Sequence, residues 1–127
     1  MKNNHRSFYA AVAAAALTLA CGFSALAETP REELVHAFIL LKTADRDYAG
    51  HRVNAMNEVE IAGKALGLRL RGDAPKGERQ WKSDDQLTAA RRLLVEARVK
   101  LESRDRERAA AHVDIAIKEL DEALKRK

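Results

Sequence analysis

Small and aliphatic residues recur at intervals of three and four along four stretches of this chain. Such spacing returns side chains to one face of an α-helix, so each stretch predicts a helix with an apolar stripe. Arg52 is the one charged residue that falls inside a stripe. The stripes are Leu34, Ala37, Phe38, Leu41 and Ala44; Tyr48, Ala55, Val59, Ala62 and Leu66; Leu87, Ala90, Leu94, Ala97 and Leu101; and Ala109, Val113, Ala116, Leu120 and Ala123.

Capping residues predict where the first two helices begin. Thr29 and Glu32 have the spacing of a capping box, in which the threonine hydroxyl and the glutamate carboxylate each accept a backbone N–H. Asp45 and Asp47 offer a cap for a second helix that begins directly after them, because aspartate accepts the free N–H groups of a helix start. Gly50 is expected to allow close approach of a neighbouring helix.

Breaks elsewhere in the chain predict two pairs of helices. Gly67 is expected to end the second helix, Ser83 to cap the third, and residues 103–105 to separate the third from the fourth. With 46% hydrophobic and only 5% aromatic residues, the composition is typical of an all-α protein. Short turns within each pair predict antiparallel hairpins. We therefore expect a four-helix bundle made of two related antiparallel hairpins.

The first 27 residues have the organisation of a cleavable signal peptide. Lys2 and Arg6 precede an apolar stretch at 8–23, and the small residues at 25–27 match a cleavage site. Removal of this segment predicts an exported protein, most simply in the bacterial periplasm, with no transmembrane span after cleavage. Without these two cations the formal net charge falls from +4 to +2, which is too small to indicate nucleic acid as a partner.

Cys21 offers an alternative anchoring mode. Residues 18–21 resemble a degenerate lipobox, in which the cysteine would be lipidated and would tether the domain to a membrane. If cleavage instead follows Ala27, the mature chain has no cysteine and packing alone must hold the fold together.

The two predicted hairpins align with each other in their second helices. Residues 51–59 align without a gap with residues 112–120, which places His51 on His112 and Glu58 on Glu119. This repetition predicts an internal duplication, because two facing hairpins bury apolar stripes that one hairpin leaves exposed. The expected organisation is a signal peptide at 1–27, hairpins at 28–67 and 83–127, and a basic crossover loop at 68–82.

Residues 47–56 resemble a segment found in small exported bacterial helical proteins of uncharacterised role. The shared pattern is Asp-x-x-Gly-His-Arg-x-x-Ala, carried here by Asp47, Gly50, His51, Arg52 and Ala55. The resemblance implies that the segment lies at the turn of a helical hairpin. The second half departs from it, since Val113 stands where the pattern has arginine. No chemistry, cofactor or partner is implied by the resemblance.

His51 and His112 are the residues whose placement the core does not explain. At 100° per residue both lie at the border of their stripes, beside Glu58 and Glu119 respectively. One interpretation is structural, with each imidazole donating to a group on a neighbouring helix. The alternative is a metal site built from His51, His112, Glu58 and Glu119, although neither helix supplies the paired ligand spacing of known metal motifs.

Arg52 and the crossover loop complete the candidate residues. A charge inside a core stripe is costly unless it is paired, and Asp45, Asp47 and Glu58 are the expected partners of Arg52. The loop is either a solvated connection or an interaction site that uses its basic residues and a tryptophan. The residues of that candidate site are Arg69, Arg71, Arg79 and Trp81.

These features favour binding or structural association over catalysis. The chain has no nucleophile motif and no glycine-rich phosphate loop, so we expect no enzyme. Apolar residues outside the seams, among them Val53, Ile61 and Ile115, predict self-association or a protein partner. No cofactor is expected. The alternative function is a periplasmic metal-binding protein that uses His51 and His112.

Overall fold

A computed structural model describes residues 28–44, 47–71 and 80–126, without the side chains of residues 80 and 81. Within these ranges the chain is all-helical and contains no strand. None of the described helices has the length and apolar character needed to cross a membrane. The helices are α1 (Pro30–Thr43), α2 (His51–Ala65), α3 (Gln80–Glu102) and α4 (Glu107–Leu124). The signal peptide prediction and Cys21 lie outside the described residues.

Each helix packs against two others around a single core. α1 contacts α2 and α3, and α4 also contacts α2 and α3. All four contacts join antiparallel helices, since Lys100 near the end of α3 reaches Glu33 at the start of α1, and Glu119 near the end of α4 reaches His51. The connection from α2 to α3 therefore returns along the whole bundle. Leucines and alanines of the predicted stripes form the core, among them Leu34, Leu41, Leu94, Leu101 and Leu120.

The predicted start of α1 and the predicted end of α2 are confirmed. Both depend on hydrogen bonds between residues that are close in sequence. The Thr29 hydroxyl accepts the N–H of Glu32, and the Glu32 carboxylate accepts the N–H of Thr29 at 2.7 Å. These cap bonds hold the pKa of Glu32 below its ordinary value. At the end of α2, Gly67 has φ +75° and the N–H of Leu68 reaches the carbonyl of Gly63 at 2.8 Å. That bond is the long one of a Schellman motif.

The start of α2 differs from the prediction. The helix begins at His51, and Tyr48, Ala49 and Gly50 before it have φ values of 53°, 56° and 87°. Asp47 caps this left-handed turn rather than the helix, because its carboxylate accepts the N–H of Gly50 at 2.9 Å. Tyr48 is buried as expected, and its hydroxyl donates to Asp84 on α3. Tertiary packing of the tyrosine thus holds a backbone turn that local propensity disfavours. Asp45 lies outside the described residues.

Gly50 serves backbone conformation and not close packing. A Cβ on Gly50 would meet no atom within 4 Å, so the positive φ of +87° is what favours glycine there. The close approach occurs at Gly63, where a Cβ would lie 3.0 Å from Cδ1 of Leu70. The expected role of Gly50 is therefore corrected, and the residue after α2 that needs the space is Leu70.

The boundaries of the second hairpin also shift. α3 begins at Gln80, so Ser83 lies inside the helix, fully buried, instead of capping it. Residues 80–82 of the predicted loop accordingly belong to α3. The break between α3 and α4 is confirmed, with Asp105 at φ 54° between them.

Candidate functional site

Two histidine–glutamate pairs join α2 to α4 across the seam between the hairpins. Nδ1 of His51 lies 2.7 Å from Oε2 of Glu119, and Nδ1 of His112 lies 2.7 Å from Oε2 of Glu58. Because an ionised carboxylate only accepts, Nδ1–H is the donor in each pair. The arrangement is reciprocal, since each helix contributes one histidine and one glutamate in the same order.

The pairs are partly shielded from water and lie well apart. The histidine side chains are 20% and 27% exposed, and their glutamate partners 26% and 23%. His51 and Glu58 are seven positions apart on α2, which separates the two pairs by about 10 Å along the helix. Asn54 adds an amide contact of 3.4 Å to Glu119. The two pairs are therefore separate contacts along the interface between α2 and α4.

The structure does not bring the four candidate metal ligands into one cluster. His51 and His112 bind different glutamates, so each pair offers only one imidazole and one carboxylate. No group of three or more His, Cys, Asp or Glu residues suited to holding a metal ion occurs within residues 28–44, 47–71 and 80–126. A structural metal site normally needs four protein donors. The geometry instead matches the structural interpretation of the two histidines.

Arg52 has a partner that the sequence analysis did not anticipate. The side chain is 8% exposed, and its Nη1 donates to the carbonyl of Leu41 at 2.9 Å and lies 3.6 Å from the sulfur of Met56. The Glu58 carboxylate is bonded to His112 instead. Leu41 lies in the last turn of α1, where carbonyls lack partners and the helix dipole is negative. Arg52 therefore caps α1 from α2.

We expect the replacement of Arg52 by alanine to lower the free energy of unfolding by about 2 kcal/mol, because a buried carbonyl loses a charged donor and the core loses packing. Urea unfolding followed by circular dichroism measures the effect. Arg52→Met keeps most of the packing and removes only the donors. A methionine variant as stable as the unsubstituted protein would contradict the capping role.

An ion pair between α1 and α3 was not anticipated from the sequence. Glu33 is fully buried, and its carboxylate binds Nζ of Lys100, which also donates to the carbonyl of Glu28 at 2.7 Å. Burial raises the pKa of Glu33, and the lysine works in the opposite direction. Glu33 follows Glu32 in the first turn of α1, where acidic residues are common. Only its angular position on the helix, towards α3, could have indicated that it is buried.

Arginines collect at the end of the bundle where α1 and α4 begin. A cleft of about 260 Å³ lies there, and the described residues that line it include no carboxylate. We call it the arginine cleft, and its lining residues are Pro30, Arg31, Ala65, Leu66, Leu101, Arg104 and Arg106. Nη1 of Arg31 donates to the carbonyl of Leu66 at 2.7 Å and so caps the C-terminal end of α2. Net charge alone gave no indication of this concentration.

The predicted interaction loop is described only in part. Arg69 and Arg71 are exposed and line a separate cleft of about 530 Å³ with Glu60 and Lys64. Arg79 lies outside the described residues. Trp81 falls in the first turn of α3, which places it in a helix and not in the loop.

Comparison with known proteins identifies no relative. No family model matches the chain, and no curated protein or solved structure matches it significantly. The resemblance of residues 47–56 to exported helical proteins therefore stays a prediction.

Proposed function

We propose that this protein is exported and acts by binding or structural association, without catalysis. The observation that carries the proposal is that both histidines between α2 and α4 are hydrogen-bonded to glutamates. His51 and His112 are the residues best suited to chemistry, and each is bonded to a glutamate of the opposite helix. Imidazoles held in this way stabilise the register of α2 on α4. Function is then left to the outer surfaces of the helices.

We also propose that the periplasm is the working compartment, with residues 1–27 removed and lipidation at Cys21 as the alternative. Cleavage after Ala27 would leave the capping box of α1 intact, because that box begins at Thr29. Lys100 would still hold the carbonyl of Glu28. The mature chain would thus retain every described contact at its start.

The two hairpins are, we infer, copies of one unit. The reciprocal His–Glu pairs support this, since exchange of the two copies converts the His51–Glu119 contact into the His112–Glu58 contact. Contacts of this reciprocal kind are what a twofold relation produces between identical surfaces. The relation here would be internal to one chain.

α1 and α3 support the same inference through an alignment that the sequence analysis missed. Residues 31–47 align with residues 91–107 without a gap. Helical stripes alone would not repeat the turn residues, yet Asp45 and Arg46 match Asp105 and Arg106. The other identical positions are Arg31 and Arg91, Leu34 and Leu94, Val35 and Val95, Ala37 and Ala97, and Leu41 and Leu101.

The α1–α3 seam supports the relation in a further way. The alignment places Glu33 on Leu93 and Lys100 on Leu40. Leu40 and Leu93 line one cleft and are both packed against the core, while Glu33 and Lys100 form the buried ion pair. One seam thus uses an ionic pair at one position and an apolar pair at the corresponding position. This difference between the two positions distinguishes the two hairpins and favours one alignment of α1 against α3.

The outer face of α1 and α3 is the surface best suited to association. Ile39, Val95 and Val99 are 49%, 38% and 59% exposed there, which makes Val99 the most exposed large apolar residue within the described ranges. We propose a second copy of the chain as the occupant. Ile39 and Val99 occupy corresponding positions in the two repeats, so the face is itself nearly twofold symmetric. Arg92 and Glu96 are exposed on it and have opposite charges.

Sedimentation equilibrium of the purified protein tests this association. We expect a dimer that Ile39→Ser/Val99→Ser converts to monomer, because apolar area on a twofold interface is lost twice. Val53→Ser/Ile115→Ser is the matched control, with side chains 42% and 41% exposed on α2 and α4. A protein that is monomeric at the highest concentration, or a dimer that only the control variant disrupts, would contradict the proposal.

A further inference from the structure

We propose that the arginine cleft binds the phosphate group of a phosphate ester. This inference concerns the end of the bundle and is independent of association through the α1–α3 face. Its three guanidinium groups come from two segments of the chain, with Arg31 on α1 and Arg104 and Arg106 in the turn between α3 and α4. The fold brings Arg31 beside the two arginines that the turn supplies.

The side chains of two of these arginines have no partner within the described part of the chain. Arg104 and Arg106 are exposed, and their side chains form no hydrogen bond or ion pair with residues of the ranges given above. Arg31 uses one donor on Leu66 and keeps others of its five. Grouped cations repel one another, so holding three around one cleft costs stability that an anion would restore.

The nearby carboxylates lie outside the described lining of the cleft. Glu32 is held by the backbone of Thr29, and Glu102 pairs with Arg98 at 3.0 Å. Asp105 and Glu107 line the adjoining cleft with Arg106 and Arg108 and are absent from the lining of this one. Further exposed cations lie at the same end, namely Lys64, Arg69, Arg71 and Arg108. Exposed carboxylates also occur around this end, so the positive charge is concentrated in the lining of the arginine cleft itself, which has three arginines.

The chemistry of the lining favours a phosphate over a carboxylate. A carboxylate has two oxygens and one charge, which a single guanidinium fork satisfies. A phosphate monoester has three terminal oxygens and more than one charge, and several guanidiniums can share it. Ala65 and Leu66 provide apolar surface beside the arginines, which suits the organic part of an ester. Both a soluble phosphate monoester and the lipid phosphatidic acid, whose headgroup is a phosphate monoester, have this chemistry.

Calorimetric titration of the purified protein with pyrophosphate at constant ionic strength tests the site. We expect binding that Arg104→Ala/Arg106→Ala weakens at least about tenfold, since charged hydrogen bonds to two residues are lost. Both residues are exposed, so the fold should persist. Lys42→Ala/Lys118→Ala is the matched control, because it removes the same net charge near the opposite end of the bundle, at the ends of α1 and α4, and is expected to bind normally.

A second arm distinguishes the sources of phosphate. Cosedimentation with vesicles that contain phosphatidic acid, and with phosphatidylcholine vesicles for comparison, reports headgroup binding. Loss of vesicle binding in the cleft variant but not in the control would support the site and identify a lipid source, whereas pyrophosphate binding alone would support a soluble source. The proposal is overturned by no binding tighter than roughly 1 mM in either arm, or by binding that both double variants weaken equally.

Discussion

Replacement of Lys100 by methionine is expected to lower the free energy of unfolding by about 3 kcal/mol at neutral pH. The substitution leaves the carboxylate of Glu33 without its cation at a fully buried position. Breaking a buried pair from one side costs roughly 3–5 kcal/mol, because the remaining charge has neither partner nor water. Lys100 is 30% exposed, so water can reach the site and the lower end of that range applies. Urea unfolding followed by circular dichroism provides the measurement.

The cost of this substitution should depend on pH in a defined direction. Burial raises the pKa of Glu33 above its ordinary value of 4.5, and Glu96 and Glu28 add to that rise. A carboxyl with a raised folded pKa stabilises the fold most below its ordinary value, and this contribution is lost as pH rises through the folded pKa. Without Lys100 the pKa rises further. The deficit of Lys100→Met should therefore shrink as pH falls from neutral towards about 5.

The proposed duplication predicts a rescue of this variant. In the alignment of residues 31–47 with residues 91–107, Leu93 and Leu40 correspond to Glu33 and Lys100. Glu33→Leu/Lys100→Leu is expected to restore most of the stability that Lys100→Met removes, because an apolar pair of suitable volume can replace a buried ion pair. A double variant as unstable as Lys100→Met would show that packing around the two positions differs, and would weaken the inference of duplication.

Features that depend on residues close in sequence were predictable. The capping box at Thr29 and the glycine end of α2 each involve residues within six positions of one another, so their hydrogen bonds can be inferred from spacing. The apolar stripes were equally accessible, and the buried residues of all four helices follow them closely. The all-helical class follows from the same evidence.

Features that depend on packing between distant segments were not predictable. The start of α2 was placed at Tyr48 because Asp45 and Asp47 resemble a helix cap, yet the tyrosine bonds to Asp84 of α3 and lies in a left-handed turn. Ser83 has the spacing of a cap, but α3 continues past it to Gln80. In each case a helix cap was predicted from about four neighbouring residues. Contacts with distant residues, which the sequence does not identify, determine where the helix begins.

The candidate site shows the same division. Helical angles placed His51 and His112 at the border of the seam, and the structure places both there. Which carboxylate each histidine meets depends on the register of α2 against α4, and that register is not encoded in either helix alone. Arg52 was correctly recognised as an internal charge. Its partner is a backbone carbonyl of α1, and side-chain patterns carry no information about such acceptors.

Simultaneous replacement of His51 and His112 by alanine is expected to lower the free energy of unfolding by about 3 kcal/mol. Each substitution removes a hydrogen bond to a carboxylate, for which roughly 1.5–3 kcal/mol is typical, and the partial exposure of both pairs favours the lower end. Because the pairs are about 10 Å apart, the two effects should add. Thermal or urea unfolding of both single variants and the double variant measures this.

The matched control is His36→Ala. His36 also contacts a glutamate, Glu28 at 3.1 Å, but its side chain is 52% exposed and the contact joins residues of the same segment. We expect its replacement to change stability by no more than about 0.5 kcal/mol. If His51→Ala costs no more than His36→Ala, the seam pairs do not stabilise the packing of α2 on α4.

Exchange of the two members of one pair tests whether the seam is as reciprocal as the proposed duplication implies. In His51→Glu/Glu119→His, the imidazole moves to α4 and the carboxylate to α2, while the other pair is unchanged. Since each helix already presents both residue types along this seam, the exchanged pair should find an equivalent geometry and recover most of the stability lost in His51→Ala. Failure to recover would mean that the two helices present their border residues differently, and the hairpins would then be similar in sequence without being equivalent in packing.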